Sequence, residues 1–310
     1  MTMTRPLATV GNVNVDLILG PIAPWPTPGT EVLCADDDLR VGGSAGNAAL
    51  AWQAMNVPFQ CAANTGNDHF GDWLRKGFGP GALSWSRTNG PTTLSVGITH
   101  PDAERTFYTT MGHLPELDWP QVDAQLDWAA LSGGILLLCG CFLTERLAEH
   151  YDALFDRAQD AGVKVALDTG WPLPGWTTDV RHAVEGWVAR STIVLLNEIE
   201  ATNLTGQDDA SGALAALAQR LPQDGIAVIK CGPRGAIASH HGQTFVASAP
   251  KVRVQDTIGA GDVFNAAFLA ELAKGAEIDI ALTAAVGVAS TAISTNPRVY
   301  SETSPQEVPA

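Results

Sequence analysis

Several signatures that would settle a function at a glance are missing from this sequence. There is no Gly-x-x-x-x-Gly-Lys-[Ser/Thr] segment, which excludes a P-loop nucleotide site. The first apolar run, LATVG (7–11), is followed by GNVNVD rather than Gly-x-Gly-x-x-Gly, which argues against a dinucleotide-binding Rossmann unit. Neither His-Glu-x-x-His nor Gly-x-Ser-x-Gly occurs, so the motif-borne metalloprotease and serine-hydrolase chemistries are absent. Positive charge is also scarce. With 18 basic against 33 acidic residues the formal charge is −15, a poor footprint for nucleic acid, and no Lys/Arg run offsets it.

Long apolar runs are lacking too. The start, MTMTRPLATVGNVNVD, has no signal-peptide core. The most apolar stretch, Ile135 to Leu143, is too short to cross a bilayer and reads as a buried strand. Cys34, Cys61, Cys139, Cys141 and Cys231 show no metal-type spacing. Cys139 and Cys141, two apart, are expected on one side of a strand as small core residues. These absences together predict a cytoplasmic protein with reduced thiols and no membrane or nucleic-acid partner.

What is present is an α/β pattern of ordinary apolar content, 45%. Short apolar runs at 7–11, 59–63, 135–140, 163–168, 193–197 and 226–230 alternate with helical periodicities, which predicts a mostly parallel sheet. Residues 44–55 read as a helix capped by Ser44, and 144–161 as a helix stopped at Gly162. His240-His241, beside Gly242, reads as a hairpin turn rather than a metal site. Two stretches break the alternation: 12–41, and 90–112, which looks like a hairpin turning at Pro101-Asp102. A parallel sheet needs helical crossovers, so these pieces fit better as a separate small β-layer. The tail from Ser301 is expected to fray.

Four segments could carry chemistry. In DTIGAGDVF (256–264), Gly259-Ala260-Gly261 stands at the start of a helix whose apolar face is Val263, Phe264, Ala267, Phe268 and Leu272. Unpaired N–H groups and the dipole there suit a phosphate oxygen, and glycine lets the backbone come close. Asp262 is then either a first-turn acid that merely complements the dipole or a base that takes a proton from an attacking hydroxyl. RVGGSAGNAALA (40–51) opens another helix, KCGPRGA (230–236) follows a strand, and LLNEIEATNLTG (195–206) puts Asn197 and Glu200 at a strand's C-terminal end. Each has a bland reading, respectively close packing, a hairpin turn and a solvated helix start.

In this order the four segments resemble the ribokinase-like (PfkB) family of carbohydrate kinases. Asp256-Thr257-Ile258-Gly259-Ala260-Gly261-Asp262 meets its C-terminal signature, Gly42-Gly43 with Asn47 its N-terminal one, and Asn197 to Glu200 its Asn-x-x-Glu. NTGNDHFGDWL (64–74) resembles its Gly-x-Asp-x-Phe-Gly segment, and the likeness runs from about residue 8 to 295. It implies a three-layer α/β/α fold with a mostly parallel central sheet, built from 1–11, 42–89 and 113–310, plus a small β lid from 12–41 and 90–112. It also implies Asp262 as catalytic base and the Gly259–Asp262 backbone as anion hole. Asp16, Gly42, Gly43, Asn47 and Arg105 would bind a sugar, with ATP at Asn197, Lys230, Gly232, Gly235 and Thr257. Mg²⁺ would be influenced by Glu200 and, through water, Asn197, and a homodimer would form through the lid. A monovalent cation such as K⁺ at Asp256 belongs to the same pattern. The Arg/Lys-x-Gly-Ala ending that helps hold it in relatives is absent here, AISTNPRVYS standing instead. Ser44 occupies the place of ribokinase's lysine, and Ala266 that of a common glycine. A nucleoside kinase of the same fold and a catalytically inactive sugar- or nucleotide-binding regulator remain the alternatives.

Overall fold

In the computed structural model, which describes residues 4–100 and 105–301, the six apolar runs become six neighbouring parallel strands. They run from Ile226–Lys230 through Ile193–Asn197, Lys164–Asp168, Ile135–Cys139 and Leu7–Val10 to Phe59–Ala62. An antiparallel hairpin, Ala236–His240 and Gln243–Ala247, extends one edge to make eight strands. His241 and Gly242 form its two-residue turn, both at positive φ (48° and 74°), the backbone such hairpins prefer.

The runs are continuous rather than alternating because both faces of the sheet are covered. Ile193 and Leu195 join one core layer while Val194 and Leu196 join the other, and Ile135, Leu137 and Cys139 alternate likewise with Leu136 and Leu138. One layer is closed by the helices Ser44–Ala54, Ala260–Lys274 and Ile278–Ser294, the other by Tyr151–Asp160, Thr178–Arg190 and Ala210–Arg220. Burying each Val, Leu or Ile contributes about 1.5–3 kcal/mol. Trp52 is fully buried and donates Nε1–H to the Ala266 carbonyl at 2.8 Å, which fixes the first helix against Ala260–Lys274. Among the described residues no helix is long and apolar enough to cross a membrane.

Three local expectations are corrected. Ser44 does not cap its helix: the cap is Gly43 (φ 83°), and the Ser44 N–H is satisfied by Asn12 Oδ1 at 3.1 Å, a partner 32 residues away. The 144–161 helix is interrupted into Glu145–Ala148 and Tyr151–Asp160, with a tight turn closed by His150 N–H to Leu147 O (2.9 Å). Leu147 and Leu154 still face one core, so the apolar pattern survives the break. Cys139 and Cys141 lie in opposite core layers, because Gly140 adopts a left-handed conformation (φ 66°) that ends the strand between them. All five thiols are free and four are buried.

A second, four-stranded sheet sits apart from the first, in the order Asp36–Gly42, Asn14–Gly20, Leu94–Thr99, Arg105–Thr109. It is made from the two stretches that broke the βα alternation. Its crossings to the main body meet at His113, whose Nδ1 accepts from Thr93 N–H (2.9 Å) while Nε2 donates to Val13 O (3.1 Å). Burial lowers this imidazole to about 4, so the ring is neutral, one nitrogen accepting and the other donating. Asp68 reinforces the same junction: it caps the helix His69–Phe78 at Gly71 N–H and accepts from Thr92 N–H and Oγ1–H. The expected turn at Pro101-Asp102 and the expected fraying beyond Ser301 fall outside the described residues.

Candidate active site

The strand ends and the start of the helix Ala260–Lys274 converge on one cluster. Gly259 is the helix cap at φ 75°, where a side chain would be strained and its Cβ would come within 2.9 Å of the Asn47 amide. Asp262 lies in the first turn, half-buried, with Oδ2 accepting from Asn47 Nδ2 at 2.8 Å. Of the four amides Gly259–Asp262, that of Ala260 is bonded to Thr257 O at 3.2 Å. Gly261 and Asp262 are among the helix's first N–H groups, which lack an i−4 carbonyl inside the helix. A Cβ on Gly261 would lie 3.4 Å from Lys230 Nζ, so the ammonium sits against that turn.

Lys230, at the end of its strand, donates to Asp168 Oδ2 at 2.7 Å and to Asn265 Oδ1 at 3.2 Å. Asn265 in turn donates to Asp168. Neither Asp168 nor Asn265 was singled out from the sequence as a site residue. The available signal was position: Asp168 ends a parallel strand, where open α/β sheets place ligands. On the neighbouring strand, Asn197 and Glu200 form a reciprocal helix cap, Asn197 N–H to Glu200 Oε2 at 3.0 Å and Glu200 N–H to Asn197 Oδ1 at 2.8 Å. The bland reading of a helix start is thus also correct for this pair.

Charge in the cluster is unbalanced. Burial, then the nearby Asp168 carboxylate, pushes Asp262 up to about 7, and the same two causes push Glu200 to about 7. Burial pushes the Lys230 ammonium the other way, but Asp168, Glu200 and Asp262 together hold it above the usual lysine value. Three carboxylates around one ammonium leave a negative excess that a hard divalent cation would relieve. Among the described residues, no three His, Cys, Asp or Glu side chains converge tightly enough to hold a metal by themselves. The donor set therefore suits a cation bound mainly through other ligands.

The second sheet brings its own groups to the same region. Asn12, Asn14 and Asp16 alternate along the chain and so share a face. Asn12 Nδ2 donates to Asn14 Oδ1 (3.5 Å), and Asn14 Nδ2 to Asp16 Oδ1 (2.7 Å). Burial raises Asp16 to about 6 against the opposing pull of Arg40 and Asn14. Any Cβ at Gly42 would lie 2.1 Å from the Asp16 carboxyl carbon, and one at Gly43 2.3 Å from Asn12 O, so both glycines are there for close approach. Asn47 is turned to Asp262 and links the Gly42-Gly43 helix start to the base. Arg105 reaches from the sheet to Thr257 Oγ1 at 2.6 Å.

Gly232 (φ 56°) and Gly235 (φ 94°) shape the turn into the edge hairpin, and a Cβ on Gly235 would meet Ala247 O at 2.0 Å. Their geometry is explained by that turn. Asp256 accepts from Arg40 and Arg298 through Oδ2 and from Ile258 N–H through Oδ1. Arg298 had no sequence signal beyond its charge.

Comparison with known proteins agrees with this architecture. A ribokinase of Haemophilus influenzae is 25% identical over 307 residues, spanning 94% of this chain and 92% of that one. The structure of Arabidopsis thaliana ribokinase complexed with ribose and ATP superposes with a TM-score of 0.77 at 24% identity, covering 96% of this chain and 95% of that one. A fructokinase with bound ATP from Xylella fastidiosa gives a TM-score of 0.75 at 20% identity over 96% of this chain and 94% of its own. Such likeness shows the ribokinase-like three-layer α/β/α fold. The family model for pfkB family carbohydrate kinases matches residues 5–301, and with that span the chain belongs to the pfkB family of carbohydrate kinases.

Proposed function

We propose that the protein transfers the γ-phosphoryl group of ATP to a hydroxyl of a small sugar or sugar derivative. The observation that carries this reading is Asp262: a carboxylate tuned to about 7, beside the first amides of a helix and within reach of an ammonium. A base near neutrality can be ionised at working pH and still take a proton effectively. In this reading the acceptor is held by Asp16 with the Gly42-Gly43 turn, and Asp262 removes its proton as the oxygen attacks phosphorus. The Gly259–Asp262 backbone and Lys230 stabilise charge on the transferring group, fixed dipoles being what such a loose transition state requires. Asn47, bonded to Asp262, keeps the carboxylate aimed. Asn197, Thr257, Gly232 and Gly235 would line the nucleotide.

Glu200 and Asp168, with Asn197 through water, would hold Mg²⁺ carried by the nucleotide. When bound it would neutralise phosphate charge and the carboxylate excess together. The second sheet acts as a lid: Arg105 and Arg40 tie it to the anion-hole turn, and closure would exclude water and limit ATP hydrolysis. A second copy would pair through its outer face. There Leu39 and Tyr108, 43% and 58% exposed, lie on the side opposite Asp16 by register.

The test is an ADP-release screen with MgATP over sugars, sugar acids and nucleosides. Turnover on a sugar or sugar acid supports the proposal. Turnover on nucleosides alone moves the assignment to a nucleoside kinase, and no acceptor above background makes the protein a binding regulator.

A further inference from the structure

Asp256 opens the turn that leads into the helix Ala260–Lys274, and the structure surrounds it with arginine. Arg40 Nη1 donates to Oδ2 at 2.5 Å and Arg298 Nη2 to the same oxygen at 2.6 Å. Oδ1 accepts from Ile258 N–H at 2.8 Å, and Arg298 Nη2 also lies 3.4 Å from the Asp256 carbonyl oxygen. The side chains are 21%, 30% and 15% exposed for Arg40, Asp256 and Arg298, so the pair interactions are little diluted by water. Although burial opposes it, the two guanidiniums hold the Asp256 carboxyl below its ordinary value. A monovalent cation does not fit this donor set. Both carboxylate oxygens are engaged, and the ion would enter a shell already holding two positive groups, where like charges repel.

We propose that Arg298, aided by Arg40, is a positioning residue that supplies at Asp256 the fixed positive charge a bound monovalent cation would otherwise supply. The three groups come from three places. Arg40 lies on the lid strand Asp36–Gly42, Asp256 at the entry to the anion-hole turn, and Arg298 beyond the helix Ile278–Ser294. The backbone of the turn is anchored to that same helix, Gln255 N–H and Asp256 N–H both reaching Ile293 O (2.8 and 3.2 Å). Arg298 is carried by the chain leaving it, where Val299 N–H bonds to Thr295 Oγ1 at 2.9 Å. A covalently tethered charge so placed needs no ion to be recruited, and the turn stays in register in any salt. The missing Arg/Lys-x-Gly-Ala ending and the presence of Arg298 are then one change rather than two.

The inference goes beyond the kinase reading, and only its kinetic arm rests on that reading. The full-length protein, Arg298→Ala and the milder Arg298→Gln are melted in KCl and in tetramethylammonium chloride at equal ionic strength. The native protein should melt at the same temperature in both salts. Arg298→Ala and Arg298→Gln should melt lower in tetramethylammonium and recover part of the loss in K⁺, while Arg298→Lys should behave as the native protein. Native protein stabilised by K⁺ over tetramethylammonium overturns the proposal. So does a loss in both neutral variants that K⁺ leaves untouched, since Arg298 would then be a structural tie alone. If Arg298→Ala does not fold, Arg298→Gln decides by the same criteria. With an acceptor in hand, native kcat should be indifferent to K⁺, and the neutral variants should lose about tenfold and regain most of it in K⁺, the scale expected when a reacting group is misplaced. Failure to find an acceptor tests the kinase reading and leaves the melting experiment intact.

Discussion

The cluster at the strand ends and the four-stranded lid solve the same problem, burying charge near a ligand, in opposite ways. Around Lys230 the carboxylates Asp168, Glu200 and Asp262 outnumber the cation, and two of the three are pushed to about 7. At the lid's edge Asp256 is oversupplied with cations and stays ionised. The first arrangement is unfinished and waits for positive charge from outside. The second is complete within the chain. The difference teaches where the ligand's charge is spent: the rigid strand ends carry the groups that must change state, while the lid is tethered by ion pairs that need not.

The largest break in this comparison comes from removing the one carboxylate assigned to proton transfer. Asp262→Asn should lower kcat by roughly 10² to 10⁴, the range for a general base, with nucleotide binding retained by calorimetry. Near-full turnover in that variant would reduce Asp262 to a helix-dipole partner. Asp16→Ala tests the lid side. Losing a charged hydrogen-bonding partner should raise the acceptor KM about 10- to 100-fold and leave the ATP KM nearly unchanged. Equal losses for both substrates would detach Asp16 from the acceptor.

A smaller effect follows from the charge excess. Because the base must be ionised, kcat/KM should fall about tenfold per unit below pH 7 and level off above it, in a pH–rate profile taken with saturating MgATP. A profile flat down to pH 5 would contradict the raised Asp262. The smallest effect concerns stability. A carboxyl with a raised folded-state pKa stabilises the fold below its unfolded value, near 4, and that stability is lost as pH rises through about 7. Asp262→Asn should therefore melt a few degrees above the native protein at pH 8 without ligands, and the gain should vanish near pH 5. A variant less stable at pH 8 would mean the carboxylate is already compensated.

The sequence makes the frame of the molecule legible because the frame rests on local patterns. Continuous apolar runs can only be strands covered on both faces, and Gly259 before a 3.6-residue periodicity can only be a helix entry. Asp262, Asn47 and Asp16 are legible for the same reason, each sitting at a fixed offset from a glycine turn. What is not legible depends on partners far along the chain. The Ser44 amide is satisfied by Asn12, Asp168 meets Lys230 across 62 residues, and Arg298 meets Asp256 across 42. No window of sequence contains both members of such a pair. Gly140 is the instructive middle case, since a glycine after five apolar residues signalled a strand end but not the left-handed turn that sends Cys141 to the other core layer.

His113 gives the architecture a mechanical character. Its ring joins Val13, where the chain first departs for the second sheet, to Thr93, where it departs again, and its own carbonyl is held by Asn64 Nδ2 at 2.7 Å. Three passages of the chain are thus gathered on one neutral imidazole, like the pages of a book at its spine. A sheet bound this way can tilt toward or away from the strand ends, but it cannot slide along them. Every opening of the lid returns Asp16 to the same line of approach, whatever the acceptor.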